Sequence, residues 1–177
     1  MSEGKRVPRS EALAVAQKIY DLLAPICERV AIAGSLRREK PDVGDIEMVC
    51  VPMPEVDLFG NGWINAMHIE QALKDAGFAF PRFNGEHFKQ FDAGPCNCDL
   101  FITTPAQWGV IFTIRTGAAD FSHRLVTPKS HGGLLPSNLR VKDGRVWNGD
   151  EALDTHTEID LFKAIGLDWI PPKDRIR

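Results

Sequence analysis

Cysteine is scarce in this chain, with four in 177 residues, at positions 27, 50, 96 and 98. That is too few for a disulfide scaffold in which bridges substitute for a core, so reduced thiols in a cytosolic-type compartment are expected. The one close pair, Cys96-Asn97-Cys98, has no second cluster at metal-ligand spacing, which leaves structural zinc a weak signal. Long apolar runs are missing as well: no stretch of about 18 apolar residues is available to cross a bilayer. The opening "MSEGKRVPRSEAL" has no apolar centre of the kind a secretory signal needs, so no membrane partner and no secretion are expected. There is no internal repeat and no low-complexity tract. Strong charge of either sign is absent too: 21 Lys and Arg against 24 Asp and Glu give a net charge of −3, which argues against strong non-specific affinity for polyanions. Basic residues do gather at Lys5-Arg6-Arg9, Arg37-Arg38-Lys40, Arg140-Lys142-Arg145 and Lys173-Arg175-Arg177. Each such group, taken alone, reads as solvated surface charge.

What is present is enough apolar residue, 44%, to build a core. From Ser10 to about Cys27, Leu13, Ala16, Ile19, Tyr20, Leu23 and Ile26 recur at the spacing of one helix face, with Pro8 and Ser10 as start signals. "RVAIAG" at 29–34 reads as a strand running into a tight loop. A second strand is expected at about Val43 to Val51, where Ile46, Met48 and Cys50 alternate with Asp45, Glu47 and Val49, and Pro52 and Pro54 end it. After the turn-like "FGNG", a helix is expected from Trp63 to Ala76, closed by Gly77. "FAFPRF" and "HFKQFD", joined through Asn84-Gly85, and then "CDLFIT" read as strands. Beyond Pro105 two helices broken by Gly117 are expected, then short β pieces around Leu139 to Trp147. A last helix near Glu158 to Ile165 carries Thr155-x-x-Glu158 as its capping box. Strands interleaved with long helices suggest a mixed α/β layer packed on one sheet, with a soft boundary near Pro105.

The chemistry gathers in "AGSLRREKPDVGDIEMVC". Asp45 and Glu47 are two apart on an expected strand, so both leave the same face. Carboxylates brought together repel unless a cation sits between them, and hard oxygen ligands suit Mg²⁺ or Mn²⁺. Just upstream, Gly34-Ser35 follows a strand, where backbone N–H groups, a hydroxyl and Arg37 or Arg38 can receive phosphate oxygens. A two-metal site needs a third carboxylate, and Asp99 supplies it if "CDLFIT" lies beside the strand carrying Asp45 and Glu47. A bare D-x-E is a weak signal, and the Gly-Ser-x-Arg-Arg element before it raises the odds.

At this point the chain resembles the polymerase X family of nucleotidyltransferases, the DNA polymerase beta-like enzymes. Gly34-Ser35-Leu36-Arg37-Arg38 followed by Gly44-Asp45-Ile46-Glu47 is similar to that family's palm motif at its usual separation. "KRVPRSEA" resembles the segment that opens the palm. "CDLFITTPAQWGVIFTIRTGA" resembles the strand with the third catalytic aspartate and the helix end after it, and "EIDLFKAIGLDWIPPKDR" the end of the thumb. The likeness runs along nearly the whole chain in the family's order.

The resemblance implies an α+β fold: a nucleotidyltransferase palm over 1–105, a mixed β-sheet with two helices on one face, followed by a small α/β thumb over 106–177. It implies that Asp45, Glu47 and Asp99 are catalytic and bind two Mg²⁺ ions, for which Mn²⁺ can substitute. Ser35, Arg38 and Arg6, beside Gly34, would grip the triphosphate, and Arg115, Thr116, Gly117 and Ser122 would border the sugar and base. The implied activity is DNA-directed DNA polymerisation from a primer 3′-hydroxyl in short-gap repair, with deoxynucleoside triphosphates and primer-template or gapped DNA as partners. Template-independent nucleotidyl transfer is the alternative, and a non-catalytic DNA-end binder the third reading. A monomer is expected, located in the cytoplasm or wherever the DNA is, viral or mobile-element settings included, without lyase or fingers domains. Four departures from the family stand out. Glu47 stands where aspartate is usual, and Glu39 where glycine commonly follows the twin arginine. Ile114-Arg115 and Ala118 replace an aromatic pair and a serine, and Ala119 and Ser122 replace polar residues that meet the base.

Overall fold

A computed structural model of the chain describes residues 6–56, 62–64, 66–80 and 83–176. The fold is α+β with a mixed sheet, and the chain divides into two compact units, Met1–Thr104 and Pro105–Arg177.

In unit 1, β1 (Val7–Pro8) leads directly into α1 (Arg9–Leu23), whose Ala12, Ala16, Ile19 and Leu23 form the buried stripe of an amphipathic helix. The helix ends four residues earlier than its periodicity suggests. Pro25 lacks an N–H to continue the ladder, so Ala24–Ile26 becomes a 3₁₀ turn and Cys27 already opens the next strand. β2 (Cys27–Ile32), α2 (Gly34–Arg37), β3 (Asp42–Val43), β4 (Asp45–Pro52), β5 (Pro54–Val56) and β6 (Gly62–Ile64) follow. Residues 62–64 are thus not the start of a helix, as their pattern suggested, but pair antiparallel with 54–56. The helix α3 begins only at Ala66 and runs to Asp75. β7 (Phe83–Asn84) is shorter than expected, β8 spans Phe88–Asp92 and β9 spans Asn97–Ile102. Residues 78–80 are not strand, and 81–82, most of the "FGNG" turn, Lys5 and Arg177 lie outside the described residues.

The sheet order is β2-β4-β9-β8-β7, antiparallel throughout except for the central β4-β9 pair, which is parallel. Ile46, Met48 and Cys50 of β4 and Cys98, Leu100 and Ile102 of β9 share one core with the buried stripe of α1 and with Ile69 and Leu73 of α3. Both helices therefore cover the same face. The alternate residues at the start of β4 and β9, Asp45, Glu47 and Asp99, leave by the other face and are only half-buried. On the helix side, Lys89 is buried and donates to Asn84 Oδ1 at 2.6 Å and to the Gly85 carbonyl at 3.3 Å, tying the β7-β8 hairpin under α3. All four cysteines are free, with Cys27, Cys50 and Cys98 buried among apolar neighbours.

Unit 2 holds α4 (Trp108–Thr116), α5 (Ala119–Val126), a three-stranded antiparallel sheet of β10 (Leu139–Lys142), β11 (Arg145–Asn148) and β12 (Glu151–Ala152), and α6 (Glu158–Ala164). Its core is Val110, Phe121, Leu125, Leu135, Leu139, Val146, Leu161, Phe162 and Ile165. The capping box of α6 is Thr157 with Asp160, two positions on from the pair read in the sequence. The Asp160 N–H donates to Thr157 Oγ1 at 3.2 Å, and Asp160 Oδ2 accepts from the Thr157 N–H at 2.8 Å. Arg175, which the sequence reads as part of a solvated basic tail, is fully buried. Its Nη1 donates to Glu158 Oε1 and its Nε to the Ile170 carbonyl at 2.8 Å. The guanidinium lies over the rings of Phe162 and Trp169 at 5.2 and 5.8 Å.

Candidate active site

The parallel pairing of β4 with β9 aligns Glu47 directly opposite Asp99, with Asp45 two residues back on the same face. Adjacent strands lie about 4.8 Å apart and alternate residues about 6.6 Å along a strand. Asp45 shows the effect of this crowding. Burial raises its pKa, Asp99 raises it further, and Arg38 and Arg6 pull it back down without cancelling the rise. Burial likewise lowers the pKa of the Arg38 guanidinium, opposed by the charges of Glu47 and Asp45.

The loop before β4 is shaped to fit this face. Ala33 N–H donates to the Glu47 carbonyl at 2.8 Å, so the chain leaves β2 pinned to β4 and turns at once into α2. Gly34 has φ +58, and a Cβ there would collide with the Glu47 side chain. Only glycine satisfies both the left-handed backbone and the space. Next to it, the Ser35 hydroxyl is buried and has no hydrogen-bond partner among the described residues. Glu39 takes φ +61, the conformation that glycine favours, at the position where the resembling family has glycine. Arg6 comes from much earlier in the chain through the pairing of β1 with β3. Its Nε donates to Asp42 Oδ1 and its Nη2 to the Asp42 carbonyl at 2.8 Å, and from there its charge reaches Asp45. Arg6, Gly34, Ser35, Arg38, Asp45, Glu47 and Asp99 are thus neighbours in unit 1.

One member of this neighbourhood escaped the sequence. Gln90 of β8 is paired with Asp99, and its Nε2 donates to Asp99 Oδ1 at 2.8 Å. Knowing that β8 lies antiparallel beside β9 would have exposed it, because residues paired across a ladder share a face. As the side chains stand, no three His, Cys, Asp or Glu among the described residues are gathered into a ligand set for a metal ion. What fits such an ion is the donor chemistry and register: three hard-oxygen carboxylates on one face, two of them paired across adjacent strands, with cationic side chains beside them.

The other four sequence candidates belong to unit 2. Arg115 and Thr116 form the last turn of α4, and Gly117 caps it in an extended conformation. Here the glycine is needed for space rather than for φ, since a Cβ would strike Ser122 Oγ and the Phe121 ring. Ser122 Oγ donates to the Ile114 carbonyl at 2.6 Å, which ties α5 to the end of α4, and Thr116 is fully buried. No helix among the described residues is long and apolar enough to cross a membrane. No protein-family model matches the chain, and no curated protein matches it either.

Proposed function

We propose that the protein is a DNA polymerase of the X-family type, which adds a nucleotide to a primer 3′-hydroxyl and releases pyrophosphate. The observation that carries this reading is the registered carboxylate face, Asp45 and Glu47 on β4 with Asp99 on β9, set beside Arg38, Arg6 and a Ser35 hydroxyl that has no partner among the described residues. In this reaction the 3′-oxygen attacks the α-phosphorus of the incoming triphosphate while the bond to the β-phosphate breaks. The residues that would hold two magnesium ions, or manganese in their place, are Asp45, Glu47 and Asp99, and the bound ions would supply charge neutralisation at the triphosphate. Asp99 Oδ1 is engaged by Gln90, which leaves Oδ2 to take the proton of the 3′-hydroxyl. Arg38 and Arg6 suit the β- and γ-phosphates through charge-assisted bonds, and the Ser35 hydroxyl adds a donor with no hydrogen-bond partner among the described residues. The partners are then a primer-template or gapped DNA and deoxynucleoside triphosphates. Residues 1–105 act as palm and 106–177 as thumb.

Template-independent addition is the alternative favoured by the second unit, where Ile114-Arg115 and Ala118 stand in place of an aromatic corner. A labelled primer with and without complementary template, in Mg²⁺ and in Mn²⁺, offered deoxy- and ribonucleoside triphosphates, separates the readings. Extension that needs template supports the first, and extension without template the second. No incorporation under any condition, together with DNA binding by Asp45→Asn equal to wild type, leaves a non-catalytic DNA-end binder. Asp45→Asn or Asp99→Asn abolishes incorporation while fold and nucleotide affinity persist. A rate within about tenfold of wild type refutes the site.

A further inference from the structure

The antiparallel pair β10-β11 turns through Asp143 and Gly144, both at positive φ, 51° and 68°, the two-residue turn that matches strand twist. One face of the hairpin is apolar and faces the core with Leu139 and Val146, packed by Val141. The pairing register puts Arg140 opposite Trp147 and Lys142 opposite Arg145, so the other face carries three cations and an indole. Like charges directly opposite each other destabilise a sheet, and here Lys142 and Arg145 are so placed at the tip. The anions nearby do little to relieve this. Lys142 reaches Asp143 at 3.9 Å and Arg140 reaches Asp150 at 3.5 Å, and both pairs are exposed and therefore weak. Glu151 is in register with Asn148, on the opposite side of the ladder from Trp147. Arg145 Nε is buried with no hydrogen-bond acceptor among the described residues, its guanidinium held over the Trp147 ring at 5.8 Å. Trp147 is itself fixed, its Nε1 donating to the Lys142 carbonyl at 3.1 Å.

A ladder of cations whose like-charge pair is only weakly offset by exposed anions is a surface that an external anion completes. We infer that this face of the β10-β11 hairpin docks the phosphate backbone of a nucleic acid, an inference that rests on the proposed function for the identity of the partner. Arg140 and Lys142 repeat about 6.8 Å apart along their strand. That spacing is commensurate with a backbone carrying one charge every roughly 3.4 Å of axis per strand. The chain's net charge of −3 makes this a local footprint rather than general basicity.

The test is the salt dependence of binding of a fluorescein-labelled gapped duplex to the full-length protein. Arg140→Gln and Lys142→Gln each lower the magnitude of the slope of log K against log salt by about 0.9, and the double variant by about 1.8. Lys142→Arg keeps the wild-type slope, and so does Lys173→Gln, which removes an exposed cation elsewhere in the unit. Three outcomes overturn the inference: an unchanged slope in the double variant, an equal loss in Lys173→Gln, or a loss in Lys142→Arg equal to that in Lys142→Gln. Wild type is assayed for nucleotide incorporation in parallel. Incorporation with an unchanged slope in the double variant rejects the hairpin alone, whereas no duplex binding and no incorporation reject the proposed function with it.

Discussion

In unit 1 Asp45, Glu47 and Asp99 stand half-buried on one face of a sheet, and Asp45 is raised in pKa despite two arginines in reach. In unit 2 a fully buried Arg175 meets a buried Glu158, with a carbonyl, Thr113 and two aromatic rings around the guanidinium and carboxylate. Both are charge taken out of water, and the difference lies in the charge left over: Arg175 Nη2 has no hydrogen-bond partner among the described residues, yet the guanidinium charge is matched by Glu158. The Arg175 pair neutralises itself and cements the chain end onto α6. The carboxylate face keeps an excess of negative charge, a state that folding tolerates but that a cation relieves. Burial alone does not set the two apart; an excess of one sign of charge on a half-exposed face does.

The largest effect expected from breaking this contrast is on the sealed side. Arg175→Ala leaves Glu158 buried without its partner and costs unit 2 about 3–5 kcal/mol. Urea unfolding followed by tryptophan fluorescence measures this, since Trp169 lies against Arg175. Replacing both partners by apolar residues, Arg175→Met with Glu158→Leu, recovers most of the loss, because the pair serves packing rather than chemistry. A loss below about 1 kcal/mol in the single variant means the pair is a surface contact in practice and the comparison fails.

The sequence made one of these sites plain and concealed the other. Gly34-Ser35, Arg38 and Asp45-x-Glu47 are adjacent in the chain, and strand periodicity alone puts the two carboxylates on one face. Asp99 required only that a third apolar strand lie alongside. Arg175, by contrast, looks like any basic tail residue. Its burial depends on a turn at Ile170 to Asp174 and on Glu158 seventeen positions away, which no local pattern encodes. Gln90 was hidden for a related reason, since an antiparallel register decides which residue faces Asp99. Residues 62–64 misled because Trp and Ile fit either period, and only the pairing with 54–56 settles them as strand. Glu39 is different again. Its departure from glycine was visible, but that the backbone there is left-handed was not.

Gln90 sharpens the comparison at intermediate scale. It is a neutral donor, so it orients Asp99 without cancelling its charge, which a lysine or arginine in its place would do. If the proposed function holds, Gln90→Leu lowers incorporation and Mn²⁺ affinity together by about 10–100-fold, the usual cost of losing a group that orients a metal ligand. Thermal stability stays close to wild type. Gln90→Glu keeps the size but loses the donor and adds repulsion, and it fares no better than Gln90→Leu. Calorimetric titration of Mn²⁺ is the deciding measurement, because a merely structural glutamine would move the melting temperature and leave that affinity in place.

The smallest effect has the opposite sign from most substitutions. With its folded-state pKa raised above the ordinary carboxylate value near 3.9, Asp45 binds its proton more readily in the folded chain than in the unfolded one. Its ionised form therefore opposes folding at neutral pH, and that penalty fades as pH falls through the raised pKa. Asparagine has the same shape and no charge. In metal-free buffer at neutral pH, Asp45→Asn should melt higher than wild type by on the order of a few degrees, even though it incorporates nothing. The gain should shrink in acid, where wild-type Asp45 is already neutral. Added Mn²⁺ should raise the melting temperature of wild type and leave the variant behind. A lower melting temperature for Asp45→Asn in metal-free buffer would mean that attraction to Arg38 and Arg6 outweighs burial and the repulsion from Asp99. The carboxylate face would then be a self-satisfied ion network of the same kind as Glu158 and Arg175, and the distinction between the two units would fall.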